Sequence, residues 1–271
     1  MLKHDLEVIR KKAPNFHPEI GFIAGSGIGH LAAELKDPVT ISYEELPHFP
    51  KSTVKGHEGS MVLGTLENVP IVFLKGRVHM YEGTDMDRIK VLIRTIFLMG
   101  CKRLIITNAA GSTRKEVGPG EIVLIDDHIN FVSDNPLVGP NDEEFGPRFV
   151  PMEHAYDEEL KEALLLTAKE HNIPIHTGVY LASLGPCFET PAEVEAFRRL
   201  GADLVGMSTI PEVTVANHCG IKVAAISAVV NLASGMTDEI LSHEGTLHSA
   251  KICSEKIIKL IKEFLKTYGH E

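Results

Sequence analysis

The chain has 271 residues, 44% hydrophobic and 24% charged, a balance that suits a packed globule rather than a disordered segment. Asp and Glu number 37 against 27 Lys and Arg, so the formal net charge is 27 − 37 = −10. That acidity argues against nucleic acid or an anionic membrane as the main partner, because both require a basic face, but it leaves room for a small anion held by a few local donors.

The N-terminal Met1-Leu2-Lys3-His4-Asp5 has no apolar run behind its charges, so no signal peptide is expected there. The best apolar stretch, Val223 to Leu232, is much too short to span a bilayer. Cys101, Cys187, Cys219 and Cys253 show neither CxxC nor zinc-ligand spacing, and are expected to be buried, reduced thiols of a cytoplasmic protein. No repeat, low-complexity tract or linker divides the sequence, so residues 1–271 are expected to form a single domain.

In chain order, Ile20 to Ala24 reads as a strand that feeds the glycine loop Gly25-Ser26-Gly27-Ile28-Gly29. Met61 to Leu66 and Val69 to Leu74 flank Glu67-Asn68, a hairpin pattern without the preferred Asn-Gly turn. Met86, Ile89, Ile93, Ile96 and Phe97 recur at helical spacing, with Gly100 as the stop. Arg103 to Thr107 is a buried-type strand running into Asn108-Ala109-Ala110-Gly111. A charged amphipathic helix fits Asp157 to His171, and a strand fits Thr177 to Ser183. Thr190-Pro191-Ala192-Glu193 and Thr209-Ile210-Pro211-Glu212 both have the form of capping boxes that open helices. Ile221 to Val230 is a long apolar strand, and Ile257, Ile261 and Phe264 line one face of a closing helix. Alternating strands and helices predict an α/β fold with a largely parallel or mixed central sheet covered on both faces, with ligands at the carboxyl ends of the strands.

The chemistry-bearing residues fall at those ends. The Gly25 loop offers bare amides and the Ser26 hydroxyl; an anion cradle and an ordinary turn both fit it. It is no dinucleotide fingerprint, because His30 stands where the third glycine belongs, and no P-loop, because no Gly-Lys-Ser/Thr follows. If extended, Arg77, His79 and Tyr81 share one face, a fork for phosphate beside a second donor and an aromatic body. Glu189, next to a helix start, is either a cap or an acceptor for a ring N–H, with Phe188 able to lie on the ring face. Asn231 ends the longest strand with both a donor and an acceptor, or is simply a turn former. His243-Glu244-Gly245-Thr246-Leu247-His248 has three residues where HExxH requires two, so no metal is expected.

Several stretches together resemble the trimeric purine nucleoside phosphorylases over nearly the whole chain. They are Gly25-Ser26-Gly27, Gly56-His57-Glu58-Gly59, Gly76-Arg77-Val78-His79-Met80-Tyr81-Glu82-Gly83 and Thr107-Asn108-Ala109-Ala110-Gly111, then Gly185-Pro186-Cys187-Phe188-Glu189-Thr190 and Gly206-Met207-Ser208-Thr209-Ile210-Pro211-Glu212. The resemblance implies the nucleoside phosphorylase fold and a phosphorolysis giving free base and ribose 1-phosphate. It implies phosphate held by Ser26, His57, Arg77, His79, Ala109 and Ser208, and ribose held by Tyr81, Met207 and His243. Phe188, Glu189 and Asn231 would bind the base, with His79, Glu189 and Asn231 as the catalytic set. Phe149 resembles the residue a neighbouring subunit lends to the ribose pocket, which implies a homotrimer. No cofactor is implied, phosphate being a co-substrate. Relatives often carry Thr or Ser beside the base-reading Asn, whereas this chain has Val230. Three rivals stand beside this reading: a methylthioadenosine phosphorylase, which should carry a protonatable carboxyl at position 231, a hydrolase, and a non-catalytic nucleoside-binding protein.

Overall fold

The computed structural model describes residues 2–25, 28–50, 59–83, 85–237 and 243–269, with the backbone alone for 243–247. Nine described strands form one mixed sheet. They are β1 (Ile20–Ile23), β2 (Lys36–Ser42), β3 (Ser60–Leu66), β4 (Val69–Lys75), β5 (Arg103–Ser112), β6 (Ile122–Asn130), β7 (His176–Ala182), β8 (Leu204–Gly206) and β9 (Lys222–Leu232). Their order is β2-β3-β4-β1-β5-β8-β7-β6-β9, and β5 also pairs with β9, so the last five strands close into a ring.

The first half of the sheet follows from local sequence. β3 and β4 pair antiparallel from Ser60↔Lys75 to Leu66↔Val69, as the hairpin pattern predicts. Glu67 and Asn68 both take positive φ, 49° and 67°, the pair of left-handed residues that a two-residue hairpin needs. β4 and β5 then flank β1 in parallel.

Six α-helices complete the described chain: α1 (Leu2–Lys12), α2 (Met86–Leu98), α3 (Glu158–Glu170), α4 (Pro191–Arg199), α5 (Ile210–His218) and α6 (His243–Tyr268). Strand side chains alternate between the sheet faces, so Leu104 and Ile106 pack with α1, α2 and α5 while Ile105 packs with α3 and α6. The smaller α4 buries Val194 and Phe197 against Leu181, Val205 and Ala233. Among the described residues no helix is long and apolar enough to cross a membrane.

Helix starts follow the capping rules with one exception. Asp85, Asp157 and Thr190 each accept a backbone N–H in the first turn of α2, α3 and α4, and Glu193 completes the box at Thr190. The second expected box does not form. Thr209 precedes α5 at φ 76° and ψ −52° with no side-chain cap, because its hydroxyl and Glu212 both turn inward to other partners.

Two further expectations need correction. β5 continues through Asn108-Ala109-Ala110-Gly111 to Ser112 instead of ending near Thr107, because β9 pairs along its whole length. Cys101, Cys219 and Cys253 are buried free thiols, but Cys187 is exposed, standing in the loop that follows β7. Burial pushes the Cys219 thiol up to about 12 and Cys253 up to about 11, which keeps both protonated and unreactive at neutral pH.

Phe264 on α6 is 0% exposed and belongs to the core shared with α3 and the sheet. Phe264→Ala is expected to lower unfolding free energy by about 3–5 kcal/mol. Urea titration followed by far-UV circular dichroism checks this, and a loss under about 1 kcal/mol would show that the site collapses around the smaller side chain.

Candidate active site

Strand ends from across the sheet converge on one cavity of ≈ 380 Å³. Its walls include Arg77 and His79 after β4, Ala109 and Gly111 from β5, Met207 and Ser208 after β8, and Asn231 from β9. Tyr81, Phe188 and Glu189 close it from the loops. A roomier hollow of ≈ 520 Å³ lies at the other end of the strands, with Lys102, Arg103 and Lys222 among its lining residues. There Arg103 donates to the carbonyls of Tyr268 and Gly269, and Lys222 pairs with Asp157 and Glu159. The first cavity alone gathers the residues that the sequence singles out.

Arg77 anchors the anionic end. It is 3% exposed, and its Nε donates to Glu212 Oε1 at 2.7 Å. Its Nη1 donates to the Thr107 carbonyl at 3.2 Å and to Ser208 Oγ at 3.0 Å. Glu212, 4% exposed, comes from the first turn of α5. Such a buried pair holds its geometry because neither charge can leave the other without a desolvation cost of several kcal/mol. Glu212 is the principal residue that sequence reading missed, since its place three residues after Thr209 suggested a cap.

The extended geometry expected for Arg77, His79 and Tyr81 is not what forms. Gly76 has φ 91°, and Met80–Glu82 is a 3₁₀ turn, so the three side chains converge through a bend. His79 and Tyr81 stack with ring centroids 4.7 Å apart. The His79 backbone N–H donates to Glu82 Oε1 at 2.8 Å, and His79 Nδ1 lies 3.1 Å from the same oxygen. Burial, then the Arg77 charge, hold the His79 pKa below the ordinary histidine value, outweighing the raising pull of Glu82. A neutral imidazole that donates from Nδ1 carries its lone pair on Nε2, an acceptor for a protonated phosphate oxygen.

Ser208 is placed by β8 and by the buried Tyr180, whose hydroxyl accepts the Ser208 N–H at 3.3 Å. Gly25 is tied to β5 by its N–H to Thr107 Oγ1 at 2.9 Å, and a Cβ there would run into the Thr107 and Asn108 backbone. Only glycine allows the end of β1 to approach β5 this closely.

At the other end of the cavity, Thr190 and Glu193 cap α4 between them, which leaves Glu189 out of the cap. Glu189 instead accepts the Ser183 hydroxyl at 2.9 Å and lines the cavity beside the 63%-exposed Phe188. Asn231 Nδ2 donates to the Leu232 carbonyl at 2.8 Å, and the amide still has a second N–H and Oδ1 to offer. Val230 and Asn231 are neighbours yet both line the cavity. The register against β5 jumps from Ala110↔Val229 to Gly111↔Asn231, and this one-residue slip re-aims the strand end.

Phe149 is 86% exposed and does not line the cavity of its own chain. Ser26 and His57 lie outside the described residues, as does the side chain of His243.

The phosphorylase superfamily model matches residues 19–266. The chain belongs to this superfamily, among its purine nucleoside phosphorylases. It is 47% identical over 251 residues to purine nucleoside phosphorylase 1 of Bacillus subtilis, covering 93% of each chain. The Schistosoma mansoni purine nucleoside phosphorylase solved with inosine superposes at a TM-score of 0.92 with 39% identity, over 98% of this chain and 95% of that one. The same enzyme solved with adenosine gives a TM-score of 0.92 and 39% identity, over 98% and 96%.

Two predictions follow from this geometry. Glu212→Gln removes the charge that fixes Arg77 and should raise the KM for phosphate at least about tenfold while moving the KM for nucleoside far less. Initial rates at varied phosphate test this, and an equal rise in both constants would show a general loss of fold. The second concerns pH. Burial depresses the pKa of both His79 and His128, so below their ordinary value of 6.5 the unfolded chain binds protons that the folded chain refuses. Stability is therefore fully present above that value and falls as pH drops through the folded pKa values. Thermal melts from pH 7.5 to pH 5, roughly spanning that window, should show this decline, made shallower by His128→Gln.

Proposed function

We propose that the chain catalyses phosphorolysis of 6-oxopurine nucleosides, inosine and guanosine with their deoxy forms, yielding free base and (deoxy)ribose 1-phosphate. The observation that carries this reading is the joining, in one cavity, of an anion end built on Arg77, His79 and Ser208 with a base end built on Glu189 and Asn231. Purine nucleoside phosphorylases are pentosyltransferases, and the chain is one of them.

In the proposed mechanism a phosphate oxygen attacks the anomeric carbon as the bond to the purine nitrogen breaks. The bonding electrons leave with the base, the sugar passes through an oxocarbenium-like state, and the base ends with the proton that hydrogen phosphate gives up on forming the ester. Arg77, His79, Ser208 and the Ala109 amide hold phosphate against the positive sugar, with Ser26 and His57 completing the anion end. Tyr81, Met207 and His243 hold the ribose. Asn231 donates to the purine as negative charge develops there, the interaction that grows toward the transition state. Phe188 covers the base, and Glu189 accepts the N1 hydrogen that a 6-oxopurine has and adenine lacks. No metal or organic cofactor enters these steps, phosphate being the co-substrate.

The active unit is proposed to be a homotrimer in which Phe149 of one subunit completes its neighbour's ribose pocket. The support is its exposure, 86%, together with that of two further large apolar side chains, Phe131 at 55% and Val138 at 73%. Purine salvage in the cytoplasm is the setting proposed, consistent with three buried free thiols.

Hypoxanthine release from inosine should require phosphate and should collapse in Asn231→Ala. Release indifferent to phosphate would establish a hydrolase instead, and no release a binding protein. The Schistosoma mansoni enzyme was solved with adenosine, so occupancy and turnover must be separated. The expectation for this chain is that kcat/KM for adenosine lies far below that for inosine, by roughly 10⁴-fold where the unmatched carboxylate exerts its full effect. Comparable turnover of the two nucleosides would overturn the proposed role of Glu189.

A further inference from the structure

We propose that Ser183 is a positioning residue that holds the Glu189 carboxylate ready for bases offering a single N–H, so that it favours inosine relative to guanosine. This rests on the reading of Glu189 as the group that accepts the base N–H. Ser183 is the first residue beyond β7, and its backbone N–H donates to the Gly206 carbonyl at 2.9 Å, which extends the pairing with β8 by one step. Its hydroxyl donates to Glu189 Oε1 at 2.9 Å. An ionised carboxylate only accepts, so the direction of this bond is fixed by chemistry.

The two partners differ in how firmly the chain holds them. Ser183 is carried by the sheet, whereas Glu189 follows the exposed segment of Pro186, Cys187 and Phe188 and is itself half-buried. The Ser183 hydroxyl therefore transfers the rigidity of the sheet to a carboxylate that stands on a loop. The nearby walls, Val205, Val230 and Ala233, are apolar, and in such surroundings a charge-assisted bond is stronger than in water.

The consequence differs between bases. A carboxylate that is free to rotate must be ordered when ligand binds, and that cost falls on the ligand. Hypoxanthine offers one ring N–H and cannot set the carboxylate plane alone. Guanine adds an exocyclic amine, grips both oxygens, and orients the group by itself. Loss of the Ser183 hydroxyl should therefore weaken inosine more than guanosine.

Steady-state kinetics of the full-length enzyme with both nucleosides and with varied phosphate tests this. For Ser183→Ala, the KM for inosine should rise about tenfold with kcat within about twofold, while guanosine changes less than about threefold. The KM for phosphate should not move, and Ser183→Thr should restore the inosine value. Equal losses on both nucleosides, no loss on either, or a parallel rise in the phosphate KM would overturn the proposal. If Ser183→Ala does not fold, a wild-type inosine KM in Ser183→Cys, a far weaker donor, overturns it equally. Glu189→Ala separates the two readings. Unchanged inosine kinetics in that variant would remove the base-reading role itself, whereas a large loss there with no Ser183 effect would remove only the positioning role.

Discussion

The buried ion pair between Arg77 and Glu212 is the constraint on which the rest of the site depends. Its members lie 135 residues apart in sequence, one leaving β4 and one in the first turn of α5. Neither charge tolerates the interior alone, so the pair forces these two elements together wherever the fold forms. The same guanidinium holds the Thr107 carbonyl of β5 and the Ser208 hydroxyl. Three segments of the cavity are thus registered on one planar, five-donor group. The left-handed Thr209 is intelligible on this basis. The chain must deliver both Ser208 and Glu212 to Arg77 within one tight turn, and the Asn108 amide, donating to Thr209 Oγ1 at 2.8 Å, steadies a backbone conformation that costs about 1–3 kcal/mol.

A second device acts at the closed end of the sheet. β5 meets β1 along its first half, β9 along its whole length and β8 at its last two residues. Its last stretch is also where the pairing with β9 slips by one residue, between Ala110 and Gly111. Gly111 lacks the Cβ that would press on Asn231 Nδ2 at 3.0 Å. A missing side chain and a shifted register therefore combine to present Asn231 to the cavity. The adjacent Val230 joins it on the same wall, which simple alternation along a strand would forbid.

What could be read from sequence and what could not divide along the range of the interactions. The Glu67-Asn68 hairpin and the Thr190 box form as expected, and the Asp85 and Asp157 caps are equally local, all set by residues a few positions apart. The Thr209 box failed because a distant partner, Arg77, competes for Glu212 more strongly than a backbone N–H does. Arg77, His79 and Tyr81 do converge on the cavity, but through a 3₁₀ turn rather than by alternation along an extended chain. Family resemblance located the polar residues of the cavity but gave no sign of Ser183 on Glu189, because that contact depends on where a loop returns after β7. The ring of β5 to β9 left no mark on local sequence at all.

The pairing of Arg77 with Glu212 also bears on how an acidic chain of net charge −10 can hold a dianion. Surface charges more than a Debye length away, about 8 Å at physiological salt, are largely screened, so the distant acidic surface has little influence on the cavity. Near the cavity, Glu212 balances most of the Arg77 charge, and His79 is kept neutral by burial and by Arg77 itself. On the proposed reading, phosphate therefore meets a field of aimed hydrogen bonds rather than a bare excess of positive charge. Directional donors discriminate between geometries where a naked cation would hold any anion. They grip phosphate while its oxygen is poised at the sugar, and they need not hold the sugar phosphate once the bond has formed and the oxygen has moved. An arginine without Glu212 would keep its charge but lose the orientation that aims its donors.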